Sequence, residues 1–259
     1  MINVLLGGDV VGSRGCEFAA RAVRSLRGEA DIVILNGENS ADGNGITRES
    51  AEQLLAVCDA VTTGNHVFRR REIMDAIDGM PYVLRPANYP EGAPGTGLCI
   101  IDKGSYRLAV LNIRGNAFMD PLDDPFGCAE RILGETDTPN VIVDFHAEAT
   151  SEKMAMGFFL DGRVSAVLGT HTHVQTADET ILPKGTAYIT DVGMCGTELS
   201  VLGVDPVLAV QKQRYKLPVR FTEAKGEQIF CGVIVTIDEH NGRASAIRRI
   251  QIRERDLTR

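Results

Sequence analysis

Strand and helix patterns alternate through the first part of the chain. The short β-branched runs INVLL, DIVIL and AVTT are separated by segments whose apolar residues recur at helical spacing. One helix is predicted at about Cys16–Leu26 and another after Thr47. Strands that alternate with helices form a parallel sheet covered by those helices, with functional side chains where the strands end. The pattern therefore predicts an α/β fold.

The strands that follow are spaced less regularly. Helices are predicted at Ser151–Leu160 and around Pro206–Arg214. The predicted hairpins are GLCII with RLAVLNI, and QIFCGVIVTID with ASAIRRIQI across an Asn-Gly turn; VIVDF, SAVLG and TAYIT are single strands. The late strands indicate a second, more antiparallel sheet packed on the first.

Chain length and composition limit the class of protein. The 259 residues are 44% hydrophobic, which fits a single domain over residues 1–259. No run approaches the roughly 20 apolar residues of a membrane span, and the N-terminal residues do not resemble a secretory signal. Six widely separated cysteines without a CxxC pair are typical of reduced, buried thiols. We expect a cytoplasmic protein with no membrane partner.

The net negative charge of the chain limits the partners that it can bind. A formal net charge of -8 disfavours a nucleic-acid polymer, because binding of such polymers is driven by basic surfaces. A small anionic substrate would then need a local source of positive charge.

Four of the five histidines lie where predicted strands end. His66 follows AVTTGN, His146 follows VIVDF, and His171 and His173 follow SAVLGT. His240, beside the last turn, is predicted to be an ordinary surface residue. Residues i and i+2 of an extended chain point the same way, so the HxH pair can share a metal ion.

Acid and amide side chains occupy the other strand ends. Asp9 follows INVLLGG, Glu38 and Asn39 follow DIVILNG, and Asn65 precedes His66. Taken singly, such residues are often helix caps, turn formers or hydrogen-bonded core groups. Metal-ligand types at five separate strand ends of one domain are hard to obtain from turns alone. The set therefore favours a metal centre.

The strand-end motifs resemble those of the calcineurin-like metallophosphoesterases. The resemblance covers about residues 2–195 and rests on GDVVG, NGEN, TGNHVF, DFHAE and GTHTH. Val11 stands where that superfamily usually has a histidine, and Glu38 followed by Asn39 where it has the bridging aspartate. These two departures and the motif DFHAEATSEK make the sequence similar to one subgroup, the YmdB-like 2',3'-cyclic-nucleotide 2'-phosphodiesterases.

The resemblance implies a fold and a ligand set. The fold is an α/β four-layer α/β/β/α sandwich, with two mixed β-sheets flanked by helices. Two divalent metal ions are implied, with this ligand assignment: Asp9, Asn39 and His173 at one ion, Asn65, His146 and His171 at the other, and Glu38 between both. A homo-oligomer is also expected.

The same resemblance implies hydrolysis of small phosphodiesters, 2',3'-cyclic nucleotides above all. The nucleophile would be a hydroxide between the two ions, and His66 would face the substrate as the general acid. Two divalent ions outweigh the two carboxylates, so the site would stay positive in an acidic protein. Oxygen-rich ligands without a thiolate favour Fe or Mn over zinc.

Several alternatives stay open or are disfavoured by the sequence. A regulatory nucleotide-sensing protein with slow or no turnover, and a phosphomonoesterase on the same site, remain open. An amidohydrolase is disfavoured because its HxH motif follows the first strand of a barrel. LLGGDVVG lacks a dinucleotide-binding glycine register. The run Arg69 to Arg71 is predicted to start a solvated helix, with a smaller chance of lining the substrate entrance, and Gly43 and Gly45 form a flexible turn near it.

Overall fold

The computed structural model describes residues 1–257, and in that part it has thirteen strands and seven α-helices. The strands are β1 (Ile2–Val11), β2 (Ile32–Asn39), β3 (Ala60–Thr62), β4 (Val83–Leu84), β5 (Leu98–Asp102), β6 (Arg107–Arg114), β7 (Val141–His146), β8 (Ala166–Thr170), β9 (Thr180–Ile181), β10 (Ala187–Ile189), β11 (Met194–Thr197), β12 (Gln228–Ile237) and β13 (Ala244–Arg253). The helices are α1 (Gly12–Ser25), α2 (Arg48–Leu55), α3 (Arg71–Ala76), α4 (Pro125–Glu135), α5 (Thr150–Leu160), α6 (Pro206–Tyr215) and α7 (Glu254–Leu257).

The first sheet has seven strands in the order β13-β12-β11-β1-β2-β3-β4. Strands β1 to β4 are parallel, as the alternation of strands and helices predicts. Beside β1, the parallel strand β11 pairs at Asp9 and Val10, while the antiparallel strand β12 pairs from Ile2 to Gly7. The start and the end of β1 therefore have different neighbours on that side.

The second sheet has six strands in the order β5-β6-β7-β8-β10-β9. Its four central strands are parallel, and the edge strands β5 and β9 pair antiparallel. The prediction of a second sheet packed on the first is confirmed, but the prediction that this sheet is the more antiparallel one is wrong, because the antiparallel β12–β13 hairpin extends the first sheet. Nine of the ten residues of β12 are buried, which is typical of a strand covered on both faces and suits a place beside β1.

Three apolar layers hold the sheets and helices together. Leu6 and Ile34 of the first sheet meet Val110 and Ile142 of the second in the core between the sheets. Phe18 of α1 belongs to the core outside the first sheet. The corresponding core outside the second sheet contains residues of α4 and α5. The predicted four-layer sandwich of two mixed sheets is confirmed.

Helix boundaries follow the capping chemistry. Thr47 caps α2 and exchanges hydrogen bonds with Ser50 in a capping box. Helix α1 begins at Gly12, four residues before the predicted start at Cys16. Helix α4 was not predicted, although Asp124 followed by Pro125 is a recognisable start signal.

The predictions about membrane spans and about the cysteines can be compared with the described residues. No helix within residues 1–257 has the length and apolar character needed to cross a bilayer. All six cysteines are free thiols; Cys58 is half-buried, and the buried ones are Cys16, Cys99, Cys128, Cys195 and Cys231. Burial raises the pKa of Cys231 to about 11, which keeps this thiol protonated.

Candidate metal centre

The predicted site residues come together where β1, β2, β7 and β8 end. Both sheets direct the carboxyl ends of these parallel strands to one edge of the sandwich. Asp9 lies near the end of β1, His146 is the last residue of β7, and His171 directly follows β8. All of the predicted ligands but Asn65 lie in or just after one of these four strands, and Asn65 follows β3.

The densest group of donor atoms surrounds the imidazole of His146. Its Nε2 lies 3.2 Å from Glu38 Oε2, 3.0 Å from Asn65 Oδ1 and 3.0 Å from His171 Nδ1. Glu38, His146 and His171 can each turn one ligand atom to a common point, because those atoms lie within 4.8 Å of one another. This group fits the second of the two predicted ion sites.

Asp9 and His173 form a second group beside the first. Asp9 Oδ1 lies 3.7 Å from His173 Nε2 and 4.0 Å from His146 Nδ1. The Nδ1 of His173 lies 3.1 Å from the carbonyl oxygen of Leu202, which can only accept a hydrogen bond. Nδ1 therefore donates to this carbonyl, and Nε2 is the nitrogen on the side of Asp9, free to bind an ion.

Asn39 lies between the two groups. Its Nδ2 donates to Glu38 Oε1 at 3.1 Å and lies 3.3 Å from His173 Nε2, while its Oδ1 is 3.1 Å from His66 Nδ1. An amide binds a hard cation through oxygen, so Asn39 would have to turn its amide by half a turn to act as the predicted ligand.

The donor set fits divalent cations. Asp9 is fully buried, yet its Oδ1 has no hydrogen-bond partner within residues 1–257. Burial raises the pKa of Asp9 to about 6. Burial opposes a charge on His146, but the neighbouring Glu38 carboxylate raises the pKa of that imidazole to about 9. The raised pKa of Asp9 and the raised pKa of His146 both show that this buried group of carboxylates favours a nearby positive charge. A divalent ion would supply that charge directly.

The glycine of the TGNH motif leaves room for this group. A Cβ atom on Gly64 would collide with Glu38 Oε2 and His146 Nε2. The chain of residues 63–66 can therefore pass close to the ligands without filling the space between them.

The HxH segment is not extended, contrary to the sequence prediction. His171 and His173 have φ angles of 99° and 64°, in the left-handed region that histidine seldom adopts. Such residues cost of the order of 1–3 kcal/mol each and persist when surrounding contacts hold them. Here the His171 N–H donates to Asp9 Oδ2 at 3.1 Å, and the Thr172 N–H to Asp191 Oδ2 at 2.9 Å.

A buried ion pair supports this turn. Lys153 of α5 and Asp191 are both almost completely buried, and Lys153 Nζ lies 2.8 Å from the same Asp191 Oδ2 that accepts from Thr172. The other oxygen of Asp191 accepts from the Gly193 N–H at 2.9 Å. The sequence did not predict a role for either residue, although Lys153 is the last residue of the motif DFHAEATSEK.

We expect Lys153→Met to destabilise the fold strongly. The change leaves the Asp191 carboxylate buried without its cation, which typically costs about 3–5 kcal/mol. Urea unfolding followed by circular dichroism measures the loss. Arg48→Met breaks the exposed pair with Glu52 and is the matched control, with a midpoint close to that of the wild type. A Lys153→Met midpoint equal to that of the control would contradict the assignment.

His66 lies at the boundary between this group and solvent. Its side chain is 31% exposed, and its Nδ1 is 3.3 Å from Glu38 Oε1. Its backbone N–H donates to Glu38 Oε2 at 3.2 Å. The residue is therefore held by Glu38 while part of its ring faces the cavity.

A cavity of about 1190 Å³ opens over the centre. Glu38, Asn39, His66, His171 and His173 form part of its wall. The wall also includes four arginines, three further acidic residues and three large apolar residues: Arg14, Arg69, Arg70, Arg220, Asp42, Glu148, Glu223, Val11, Leu202 and Phe221. Arg69 and Arg70 thus line the entrance, which was the lesser alternative for this run, and Gly43 borders it as well. Arg70 donates hydrogen bonds to the carbonyl oxygens of Asp42 and Asn44.

Glu148, the last residue of the motif DFHAE, is a site residue for which the sequence predicted no role. Its Oε2 lies 2.9 Å from His171 Nε2, and it lines the cavity. His171 Nδ1 faces the donor group, so Glu148 holds the opposite nitrogen of the same ring. A carboxylate on the outer nitrogen of a histidine is a common way to orient a metal ligand. His240, by contrast, is an exposed surface residue, as predicted.

Comparisons with known proteins show which family the chain belongs to. A curated relative from Bacillus subtilis, named 2',3'-cyclic-nucleotide 2'-phosphodiesterase, is 47% identical over 98% of both chains. A crystal structure of a hypothetical protein from Thermus thermophilus is 41% identical, with a TM-score of 0.93 over 98% of this chain and 100% of that one. The structure of a novel phosphatase from Mycoplasma pneumoniae is 30% identical, with a TM-score of 0.91 over 100% of this chain and 96% of that one. The model of the family described as YmdB-like protein matches residues 5–250, and the chain belongs to that family.

Proposed function

We propose that this protein is a metal-dependent phosphodiesterase that hydrolyses small phosphodiesters, in the first place 2',3'-cyclic nucleotides. The observation that carries the proposal is the convergence of two buried carboxylates and three imidazoles under a cavity lined by arginines. The curated relative at 47% identity bears the name of this activity.

The proposed roles of the site residues follow their positions. Asp9, with its unpaired oxygen, lies next to His173, and Glu38 contacts His146 directly and the Asp9 and His173 group through Asn39. We assign the ligands as follows: Asp9, Asn39 and His173 to one ion, Asn65, His146 and His171 to the other, and Glu38 to both. When bound, two divalent ions supply positive charge to the phosphodiester and lower the pKa of water.

His66 is the proposed general acid. Its Nδ1 lies 3.3 Å from Glu38 Oε1, so Nε2 is the nitrogen left to meet a substrate in the cavity. An imidazole can donate a proton to a leaving ribose oxygen near neutral pH. Because the arginines of the cavity wall lie among the acidic residues Asp42, Glu148 and Glu223, the bound ions would supply the positive charge that an anionic substrate needs.

Product analysis tests the proposal. Purified protein with bound metal is incubated with 2',3'-cyclic AMP, and the products are resolved by chromatography. Addition of water across the bond from phosphorus to the 2' oxygen gives 3'-AMP, the expected product. Bound nucleotide without turnover would favour the regulatory alternative. Release of inorganic phosphate from AMP, with the cyclic nucleotide left intact, would favour a phosphomonoesterase.

Metal choice is a further expected result. The proposed ligands are carboxylate, amide and imidazole groups without a thiolate, a set that suits iron or manganese better than zinc. After a chelator has removed the metal, Mn²⁺, or Fe²⁺ added under anaerobic conditions, should restore the highest rate of 2',3'-cyclic AMP hydrolysis. Best activity with zinc alone would contradict this choice of metal, and full activity without any metal would contradict the proposed function.

We also propose the cellular context of the enzyme. A single domain over residues 1–259 is supported by the core that the two sheets share, and a cytoplasmic location by the six free cysteines. The homo-oligomer is proposed from the resemblance to the family alone. The net charge of -8 supports small molecules, rather than nucleic-acid polymers, as its partners. Light scattering coupled to size exclusion measures the subunit number.

A further inference from the structure

A buried carboxylate that the proposed mechanism does not use lies behind His146, between the two sheets. Asp144 is fully buried on β7. Its Oδ2 accepts hydrogen bonds from Thr62 Oγ1 at 2.5 Å and from Asn36 Nδ2 at 3.0 Å, both on strands of the first sheet. Its Oδ1 accepts from Thr170 Oγ1 at 2.7 Å, on a strand of the second sheet. Asp144 thus joins the sheets directly beside the metal centre.

Strand geometry brings this carboxylate and His146 to the same side. Residues two apart on a strand point to the same face. Asp144 and His146 therefore both face the first sheet, while Phe145 between them packs in the core outside the second sheet. Thr170 is the cross-strand partner of His146, so its hydroxyl lies within reach of both side chains.

The direction of the hydrogen bonds determines which nitrogen of His146 carries a proton. The hydroxyl of Thr170 has one hydrogen, and the Asp144 carboxylate accepts it. The oxygen of that hydroxyl must then accept from His146 Nδ1, which lies 2.9 Å away. With Nδ1 donating to Thr170, Nε2 is the nitrogen that faces Glu38, Asn65 and His171 and can bind an ion.

We propose that Asp144 is a positioning residue that acts through Thr170 to hold His146 in its metal-binding orientation and tautomer. The inference rests on the proposed function insofar as His146 is taken as a metal ligand. It extends that function to two residues that touch neither substrate nor metal. Outer partners of this kind commonly change metal affinity by about 10–100-fold when they are removed.

Thr62 and Thr170 both donate a hydrogen bond to the carboxylate of Asp144, which allows a matched pair of variants. Thr170→Val removes the hydroxyl that links Asp144 to His146 and keeps the β-branched shape. Thr62→Val removes a hydroxyl from the other oxygen of the same carboxylate, and it is equally buried. Thr170→Ser restores the hydroxyl without the methyl group. All variants are prepared metal-free, and manganese binding is measured by calorimetry together with the melting temperature.

We expect Thr170→Val to weaken manganese binding by about 10–100-fold at one of two sites, and Thr170→Ser to bind within a few-fold of the wild type. Thr62→Val should lower the melting temperature but bind manganese as the wild type does. Wild-type affinity in Thr170→Val, or an equal loss in Thr62→Val, would overturn the proposal. Wild-type protein that binds no metal at all would instead overturn the proposed function.

A second measurement needs no variant and covers the case in which Thr170→Val does not fold. Zinc-loaded wild-type protein, labelled with ¹⁵N in its five histidines, reports the protonated nitrogen of each ring by nuclear magnetic resonance. The proposal requires His146 to be protonated at Nδ1 and bound through Nε2. Binding through Nδ1, with the proton on Nε2, would overturn it even if the variants behave as expected.

Discussion

Glu38→Gln is expected to abolish hydrolysis while leaving the fold intact. The carboxylate of Glu38 lies in the middle of the centre, since Oε2 lies 3.2 Å from His146 Nε2 and Oε1 accepts from Asn39 Nδ2 at 3.1 Å, and Asn39 in turn lies 3.3 Å from His173 Nε2. Glutamine has the same shape but lacks the charge, and its amide hydrogens would face groups that also donate. The loss of activity should exceed the roughly 100-fold typical of residues outside the ligand set.

Metal analysis and kinetics of the purified variant measure this effect. Glu38→Gln should hold less than the wild-type metal content, and its circular dichroism spectrum should match that of the wild type. Glu52→Gln is the control, because it makes the same chemical change at an exposed position of α2. Two tightly bound ions and near wild-type turnover in Glu38→Gln would show that Glu38 does not bridge the centre.

His66→Ala is expected to slow hydrolysis of a 2',3'-cyclic nucleotide by about 10²- to 10⁴-fold, the range for loss of a general acid. The metal content should not change, because the ring of His66 lies at the cavity wall and is 31% exposed, outside the buried donor group. Nitrophenol is a good leaving group that needs no proton, so the defect should shrink with a nitrophenyl phosphodiester.

The comparison of two substrates separates acid catalysis from a structural defect. His240→Ala, in an exposed surface histidine, should match the wild type on both substrates. An equal loss in His66→Ala on the cyclic nucleotide and on the nitrophenyl ester would remove His66 from the role of general acid. A loss of metal in the same variant would make it a ligand instead.

The positions of the candidate ligands could be predicted because they depend on local rules. Each of the strands β1, β2, β7 and β8 is readable as an apolar run, and parallel strands direct their carboxyl ends to one edge of a sheet. Asp9 and Glu38 were therefore expected at one edge of the first sheet, and His146 and His171 at one edge of the second; the packing of the sheets brings these two edges together. The structure places their donor atoms within a few ångströms of one another.

The neighbour of β1 could not be predicted in the same way. The final hairpin has the same local pattern in either sheet, because an Asn-Gly turn sets the pairing of β12 with β13 and nothing beyond it. Its place beside Ile2 to Gly7 depends on which strand edge is still free when the other strands have paired.

By itself, the sequence determined the fold class, the strand ends that carry ligand chemistry and the motifs of the family, since these follow from periodicity and from short motifs. Tertiary structure alone decided how those ligands are held. The left-handed turn at His171 and His173 depends on a contact between Lys153 and Asp191, 38 residues apart. The bonds behind His146 join Thr62 to Asp144 across 82 residues. Such buried polar contacts are set by which strands and helices become neighbours, and a local pattern contains no information about that choice.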